Sequence, residues 1–196
     1  MNDSRRRHAH ELYATSHEHD QDLPRLERFR NLEPPTAELL GVLIRAAGSR
    51  RILELGTSNG YSTIWLADAA EANGGHVESV DVDCARTDLA RESLLGAGLE
   101  TRVELRTEDA GLTLSQSADS AWDFIFLDSE RPAYPGYVAD LVRTLAPAGI
   151  LAVDNVLSHE NELVEFTALI EAQEELTQTV VPVGAGLRLA ARGRSE

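Results

Sequence analysis

Two patterns of hydrophobic residues alternate along the chain, one typical of buried strands and the other of amphipathic helices. Short apolar runs predict strands over residues 51–55, 76–82, 102–106, 123–127 and 149–153. Between and after these runs, apolar residues recur at helical spacing and predict helices over residues 61–72, 84–98, 137–146 and 161–176. A further helix over residues 34–48 precedes the first strand, because two prolines open it and a glycine closes it.

The alternation of strands and helices predicts a doubly wound α/β domain, with a mostly parallel sheet and helices on both faces. The chain ends with two short apolar runs, residues 179–183 and 186–191, which predict an antiparallel hairpin at the edge of the sheet. Residues 1–33 are mostly polar, and we expect them to form an N-terminal helical extension. The predicted division is therefore an extension over 1–33 and the α/β domain over 34–196.

Length and composition indicate a single cytoplasmic domain. A chain of 196 residues can bury a core without disulfides or a structural metal, and its single cysteine, Cys84, excludes an internal disulfide and fits a reducing compartment. The sequence has no apolar stretch of about 18 residues, so we expect no transmembrane helix. Its N-terminus lacks the apolar segment of a secretory signal.

The charge balance argues against nucleic acid as a partner. The chain carries 33 acidic and 18 basic residues, a formal net charge of −15, and such a surface repels phosphate backbones. All the basic residues are arginines, because the sequence contains no lysine. This bias matters for Arg131, which lies three residues after Asp128.

The end of the first predicted strand carries a glycine loop, "ELGTSNGYST", over residues 54–63. Ligands of open α/β sheets bind beyond the carboxyl ends of the strands, and Gly56 and Gly60 allow a ligand to approach the backbone closely. The G-x-x-x-G spacing differs from the G-x-G-x-x-G of dinucleotide sites. Glu54 disfavours a pyrophosphate and favours a ligand with positive charge. A tight turn without a ligand is the alternative.

Two later connections offer further cofactor contacts. Asp81 lies near the end of the second strand, about 20 residues past the glycines, a spacing that suits an acid bound to ribose hydroxyls. In isolation Asp81 is equally consistent with a turn or a helix cap, the role predicted for Asp83. The third connection places Asp109 and Ala110 where an adenine can lie, although this signal alone is weak.

Oxygen-bearing side chains follow the fourth and fifth predicted strands. Asp128 ends one of them, and Asp154 and Asn155 end the other. If these strands are neighbours, about 4.8 Å apart, the three side chains converge on one point. A ligand set made only of oxygens selects a hard cation, Mg²⁺ above all. A simple turn at Asp154-Asn155 is the alternative.

Together these stretches resemble the cation-dependent, catechol-type class (family 3) of S-adenosylmethionine O-methyltransferases. The resemblance rests on "ELGTSNGYST", "SVDVD", "EDA", "DFIFLDSERPAY", "LAPAGILAVDNVL" and "VVPVGAGLRLA", and it runs from about residue 34 to 191. It implies a Rossmann-like class I methyltransferase fold, a seven-stranded sheet with a reversed last strand. It also implies the cofactor S-adenosylmethionine, with a divalent cation such as Mg²⁺.

The resemblance assigns roles to residues as well. Expected contacts to the methionine end of the cofactor are Glu54, Gly56, Thr57, Ser58, Gly60 and Ser62. Asp81 is expected to hold the ribose, Asp109 and Ala110 to flank the adenine, and Asp128 to contact the cofactor as well. The expected metal ligands are Asp128, Asp154 and Asn155.

The sequence departs from the resembled family at the catalytic base. The family usually carries a lysine three residues after the first metal aspartate, and Arg131 stands there in this chain. A guanidinium cannot take a proton at neutral pH, although it can stabilise an anionic oxygen. The hypothesis is that the proton leaves with help from the metal alone or from another group, with Glu130 and His159 as candidates.

The segment after Asn155 is short compared with the family, which predicts an open acceptor site or one completed by the N-terminal segment or a partner subunit. The expected function is O-methylation of a small phenolic or catechol-like acceptor by a cytoplasmic homodimer. Three alternatives remain: a cofactor-binding scaffold with impaired catalysis, a tRNA- or rRNA-modifying enzyme, and a nicotinamide oxidoreductase. The net charge argues against the second, and Glu54 with the missing third glycine argues against the third.

Overall fold

A seven-stranded mixed sheet organises the computed structural model of the chain, which describes residues 1–24 and 27–194. In chain order the strands are β1 Arg51–Leu55, β2 His76–Asp81, β3 Val103–Thr107, β4 Trp122–Leu127, β5 Leu145–Val153, β6 Leu176–Val181 and β7 Leu187–Arg192. Across the sheet their order is β3-β2-β1-β4-β5-β7-β6, with β1 to β5 parallel and β7 antiparallel to both neighbours. The predicted doubly wound sheet with an antiparallel C-terminal hairpin is confirmed.

Helices cover both faces of the sheet. They are α1 Asp3–Asp20, α2 Pro34–Ala47, α3 Tyr61–Ala72, α4 Cys84–Ala97, α5 Ala110–Gln116, α6 Tyr134–Thr144 and α7 Val164–Glu171. Side chains alternate across each strand, so β4 turns Phe124 and Phe126 toward a core shared with α1 to α4. The same strand turns Ile125 and Leu127 toward a second core shared with α5 to α7.

Element boundaries differ from the sequence prediction around the last two helices and the strands that follow them. The helix expected over 161–176 ends at Glu171, and the chain turns so that β6 begins at Leu176, which is 8% exposed and packs in the core. The helix expected over 137–146 is α6, which starts and ends earlier than predicted, while β5 already begins at Leu145. In both places an apolar residue that completes a helical pattern packs in the core as the first residue of a strand.

Helix α5 was not predicted, because its seven residues are too few to show a helical period. Asp109 begins it as the N-cap, and its side chain accepts a hydrogen bond from the backbone N–H of Leu112 at 3.0 Å. Asp83 has the same role at the start of α4, as expected, with its carboxylate accepting from the N–H of Ala85.

The N-terminal helix α1 packs against α3 and α4. Ala9 and Ser16 are the buried residues of this helix. The guanidinium of Arg5, near its start, forms ion pairs with Asp68 at 3.1 Å and with Glu71. After α1 the chain turns back, so that residues 29 and 30 lie at the cavity near the carboxyl ends of the strands. Their backbone N–H groups donate hydrogen bonds to the Asp20 carboxylate, which holds them there. The division into an extension over 1–33 and a domain over 34–196 stays a prediction.

Among residues 1–24 and 27–194, no helix has both the length and the apolar character needed to cross a bilayer.

The junction of β1 and β4 depends on a glycine. Gly56 follows β1 with a φ of 111°, and its N–H donates to the carbonyl of Val80 at 2.9 Å. A Cβ atom at this position would lie 2.1 Å from the backbone oxygen of Asp128. Only glycine therefore lets the carboxyl ends of the two strands approach this closely.

Replacing Gly56 by alanine should lower the free energy of unfolding by about 3 kcal/mol or more, because backbone cannot move away as a flexible side chain can. The matched control is Gly98→Ala, where φ is 63° and no atom lies within 4 Å of the added Cβ. That control should cost only about 1 kcal/mol. Urea unfolding of both variants tests this, and equal losses would contradict the steric account.

Candidate functional site

A cavity of about 570 Å³ opens at the carboxyl ends of β1, β2 and β4, within the roughly 300–1,000 Å³ range of small-molecule sites. Most of the residues proposed from the sequence form its wall. Those residues are Gly56, Ser58, Ser62, Asp81, Asp109, Ala110, Asp128, Glu130, Arg131, Asn155 and His159. The parallel sheet brings them together because all of its parallel strands end at one edge.

Three residues proposed for the cofactor lie behind the cavity wall. Glu54 is fully buried, and its carboxylate accepts hydrogen bonds from the hydroxyls of Ser62, Thr63 and Ser79 at 2.5–2.6 Å. Thr57 is buried and shares a 2.7 Å hydrogen bond with Ser79. Gly60 caps α3, where an added Cβ would lie 3.0 Å from the Cα of Ala90. These positions shape the glycine loop from within the protein.

Burial gives Glu54 unusual electrostatics. Removal from water raises its pKa to about 7, and the three hydroxyl donors offset only part of that effect. Because Ser62 both donates to Glu54 and lies on the cavity wall, it connects the buried carboxylate to the cavity.

The acids at β2 and α5 are positioned by backbone hydrogen bonds. One carboxylate oxygen of Asp81 accepts from the N–H of Ser58 at 2.9 Å, and the other accepts from the N–H of Asp83 at 3.0 Å. This fixes the Asp81 carboxylate against the glycine loop. Asp109 is held by its capping bond, and Ala110 begins the helix that it caps.

The strand ends of β4 and β5 bring the three candidate metal ligands together. From Phe124 to Leu127, β4 pairs in continuous register with β5. The Asn155 side-chain N–H group donates to Asp128 Oδ1 at 3.0 Å and to Asp154 Oδ2 at 3.3 Å. Asn155 has a φ of 66°, a left-handed conformation that asparagine tolerates better than most residues. The side chains of Asp128, Asp154 and Asn155 therefore lie close together, as expected if β4 and β5 are neighbours.

The carboxylates of Asp128 and Asp154 lie close enough together to repel each other. Burial raises the pKa of Asp154, which is 2% exposed, and repulsion from Asp128 raises it further. Burial raises the pKa of Asp128 as well, although the positive charges of Arg30 and Arg131 oppose that effect. The Oδ1 atom of Asp154 is buried without a hydrogen-bond partner.

This donor set fits a hard divalent cation. It offers carboxylate oxygens, and one of them, Oδ1 of Asp154, is buried without a hydrogen-bond partner. Rotation of the Asn155 amide by 180° would present its oxygen in place of its nitrogen. In the described ranges no three His, Cys, Asp or Glu side chains meet to hold a metal. The candidate set is therefore two carboxylates and one amide.

The three candidate catalytic residues lie on the wall in different settings. Arg131 is 3% exposed, and its Nε donates to Glu162 at 2.8 Å. Glu130 accepts from the Arg30 guanidinium at 2.8 Å. The His159 ring Nδ1 lies 2.8 Å from the hydroxyl oxygen of Ser158.

Residues 29–32 also line the cavity, although no sequence motif marks them as part of a site. Besides the Asp20 carboxylate, the Ser58 hydroxyl holds this segment, donating to the carbonyl of Phe29 at 3.0 Å. One feature of the sequence pointed toward this stretch. The segment after Asn155 is short, and completion of the acceptor site by the N-terminal segment was one of the arrangements expected from it.

Comparisons with known proteins agree with this architecture. A profile of a protein family described as O-methyltransferase matches residues 27–193. A Mycobacterium avium protein with the provisional name O-methyltransferase is 30% identical over 172 residues, covering 81% of this chain and 77% of its own.

Two solved structures carry methyltransferase cofactors in their names. An O-methyltransferase from Bacillus cereus in complex with SAH (S-adenosylhomocysteine) is 26% identical, with a TM-score of 0.78 over 94% of this chain and 90% of its own. TomG from Streptomyces achromogenes, an O-methyltransferase of tomaymycin synthesis in complex with S-adenosylmethionine, is 26% identical. Its TM-score is 0.77 over 98% of this chain and 91% of its own. The Rossmann-like methyltransferase fold is confirmed.

The raised pKa of Glu54 predicts a pH-dependent stability. The protonated carboxyl is favoured in the folded state, so its contribution is complete below the ordinary pKa of 4.5 and declines as pH rises to about 7. The loss approaches about 3 kcal/mol. Glu54→Gln removes this titration, so the variant should gain stability relative to wild type as pH rises from 4.5 to above 7. Urea unfolding across that range checks this, and a constant difference would contradict it.

Proposed function

The chain belongs to the O-methyltransferase family and is an S-adenosylmethionine-dependent enzyme, and we propose that it methylates a hydroxyl of a small phenolic or catechol-like acceptor beside a divalent cation. The observation that carries this proposal is the meeting of Asp128 and Asn155, which line the cavity, with the buried Asp154 beside them. An oxygen-rich cation site next to a cofactor cavity suits an acceptor with two neighbouring hydroxyls.

We propose that the cavity wall holds the cofactor in the expected order. S-adenosylmethionine supplies an electrophilic methyl group on a positively charged sulfur. Gly56, Ser58 and Ser62 would contact its methionine end, and Asp81 would bind the ribose hydroxyls. Asp109 and Ala110 would flank the adenine. Support comes from their shared place on the wall, while Glu54, Thr57 and Gly60 would maintain the loop from behind.

Asp128, Asp154 and Asn155 would hold the divalent cation. Such a cation lowers the pKa of a bound hydroxyl and aligns a diol. The unpartnered Oδ1 of Asp154 and the raised pKa values of both carboxyl groups support this assignment, since a buried acid beside a second carboxylate is costly without a cation.

We propose that His159 accepts the proton of the acceptor hydroxyl. The Arg131 guanidinium would stabilise negative charge near Asp128, whose pKa it helps to lower. Glu130 already accepts a charged hydrogen bond from Arg30. A neutral imidazole can accept a proton as a general base, and His159 lies on the cavity wall.

The proposal also covers partners and place in the cell. A net charge of −15 favours a small-molecule acceptor over RNA. A cytoplasmic homodimer is proposed on the resemblance to the family and on the lone cysteine.

Cofactor binding tests the assignment of Asp81. Calorimetry should show SAH binding to the wild type, and Asp81→Asn should weaken it about tenfold or more, because hydrogen bonds to a charged group are lost. Asp88→Asn is the matched control, since this acid is exposed on α4. Absence of SAH binding to the wild type would contradict the cavity assignment, and equal affinity in Asp81→Asn would remove this residue from it.

Turnover tests the acceptor, the cation and the proton route together. With S-adenosylmethionine and Mg²⁺ the enzyme should methylate a catechol, and a chelator should abolish the reaction. Asp154→Asn should lower kcat/KM about a hundredfold or more, because a ligand charge is lost.

Two substitutions separate the proposed base from its neighbour. His159→Gln should lower kcat/KM about a hundredfold or more, the usual contribution of a general base. Arg131→Gln removes a stabilising charge but leaves the base in place, so it should lower kcat/KM less. Cofactor binding without methylation of any catechol would favour a scaffold or another acceptor, and an unchanged kcat/KM in His159→Gln would exclude this base.

A further inference from the structure

The centre of the glycine loop, residues 56–60, has a backbone conformation that its own sequence does not favour throughout. Gly56 and Gly60 have φ values of 111° and 85°, which glycine adopts readily. Between them Ser58 has a φ of 50°, a left-handed conformation that is costly for a serine. The loop therefore keeps this shape because its surroundings impose it, and the contacts that hold it decide whether Gly56 and Ser58 stay on the cavity wall.

Side-chain hydrogen bonds anchor the loop from two directions. From the sheet, Asp81 accepts from the N–H of Ser58 at 2.9 Å, and the hydroxyls of Ser79 and Thr57 lie 2.7 Å apart. From the N-terminal extension, the carbonyl of Phe29 accepts from the Ser58 hydroxyl at 3.0 Å. The extension thus contacts the same loop that the proposed cofactor would contact.

Asn59 makes a second connection from the loop to the extension. It is 3% exposed and is not among the described residues that line the cavity. Its Nδ2 donates to the hydroxyl oxygen of Ser16 on α1 at 2.7 Å, and that hydroxyl donates in turn to the carbonyl of Leu12 at 2.7 Å. Its Oδ1 accepts from the N–H of Tyr61, the first residue of α3, at 3.3 Å. Each end of the amide therefore has a partner of the matching kind.

Burial makes this connection stronger than a hydrogen bond at the surface. Ser16 is 4% exposed, so water does not readily replace its hydroxyl if the bond to Asn59 is lost. The rings of Tyr13 and Tyr61, with centroids 5.3 Å apart, pack α1 against the start of α3 beside this bond. Because Asn59 follows Ser58 directly, a shift of Asn59 also moves the strained residue on the cavity wall.

We propose that Asn59 and Ser16 are positioning residues, through which helix α1 holds the glycine loop in the conformation that binds S-adenosylmethionine. The inference rests on the proposed contacts of Gly56 and Ser58 with the cofactor, and it gives the extension over 1–33 a part in cofactor affinity. Without this bond the free loop also adopts other conformations. The apparent Kd then rises in proportion as the binding conformation becomes rarer.

Calorimetry with SAH and the full-length protein tests the inference. Ser16→Ala should weaken SAH binding about tenfold, because a buried donor loses its partner when the loop keeps its binding conformation. Thr15→Ala is the matched control. The Thr15 hydroxyl also donates to the carbonyl four residues earlier, that of Glu11 at 2.8 Å, but Thr15 is exposed. This variant should bind SAH as tightly as the wild type.

A second variant and a second measurement separate positioning from a merely structural role. Asn59→Ala should weaken SAH binding at least as much as Ser16→Ala, and the double variant should bind no more weakly than Asn59→Ala, because the same bond is already lost. Urea unfolding of each variant measures stability independently. A merely structural bond would lower the stability of Ser16→Ala and leave its affinity for SAH at the wild-type value.

The outcomes also distinguish this inference from the proposed function. Equal SAH affinity of wild type and Ser16→Ala would overturn the inference and leave the proposed function standing. An equal loss in Thr15→Ala, or additive losses in the double variant, would overturn the inference as well. A wild type that does not bind SAH would reject both. A tenfold loss in Ser16→Ala alone, with a wild type that methylates no catechol, would support the positioning role and reject the proposed reaction.

Discussion

The pairing of β4 with β5 places two acids side by side at a buried sheet edge, and the candidate site depends on how their charge is balanced. Asp128 and Asp154 share the Asn155 amide, and the positive charges of Arg30 and Arg131 act on Asp128. Burial raises the pKa of both carboxyl groups, and repulsion from Asp128 raises that of Asp154 further. One oxygen of Asp154 is buried without a hydrogen-bond partner. Such an arrangement persists in a folded protein when something compensates it, and a bound cation does so directly.

The same constraint gives the arginines a common role. In a chain without lysine, every basic side chain other than histidine is a guanidinium, a group that does not exchange protons at neutral pH. Arg131 is tied to Glu162, and Arg30 to Glu130, so each guanidinium is oriented by a carboxylate beyond the cation site. Charge stabilisation and proton transfer are then performed by different residues. In the proposed mechanism His159 accepts the proton, and the arginines stabilise anionic oxygens.

Much of this architecture could be predicted because strand and helix periodicities are local and parallel strands share an edge. That logic alone predicts that Asp128 lies beside Asp154 and Asn155. It failed where tertiary packing decided, as at Leu176, which begins a strand although it completes a helical pattern. It also could not locate the 29–32 segment, because only the fold carries Phe29 and Arg30 back over the strand ends. Glu54 was placed at the ligand, but its hydroxyl partners come from α3 and β2, and they hold it behind the wall.

The central claim is that the acid pair at the β4 and β5 ends is compensated by a divalent cation. Thermal unfolding with and without millimolar Mg²⁺ measures this most directly, because a ligand of the folded state stabilises by about 2.7 kcal/mol at a hundredfold excess over its Kd. The account predicts that Mg²⁺ raises the Tm of the wild type by several degrees and leaves that of Asp128→Asn nearly unchanged. A wild-type Tm that does not respond to Mg²⁺, or an equal rise in the variant, would contradict it.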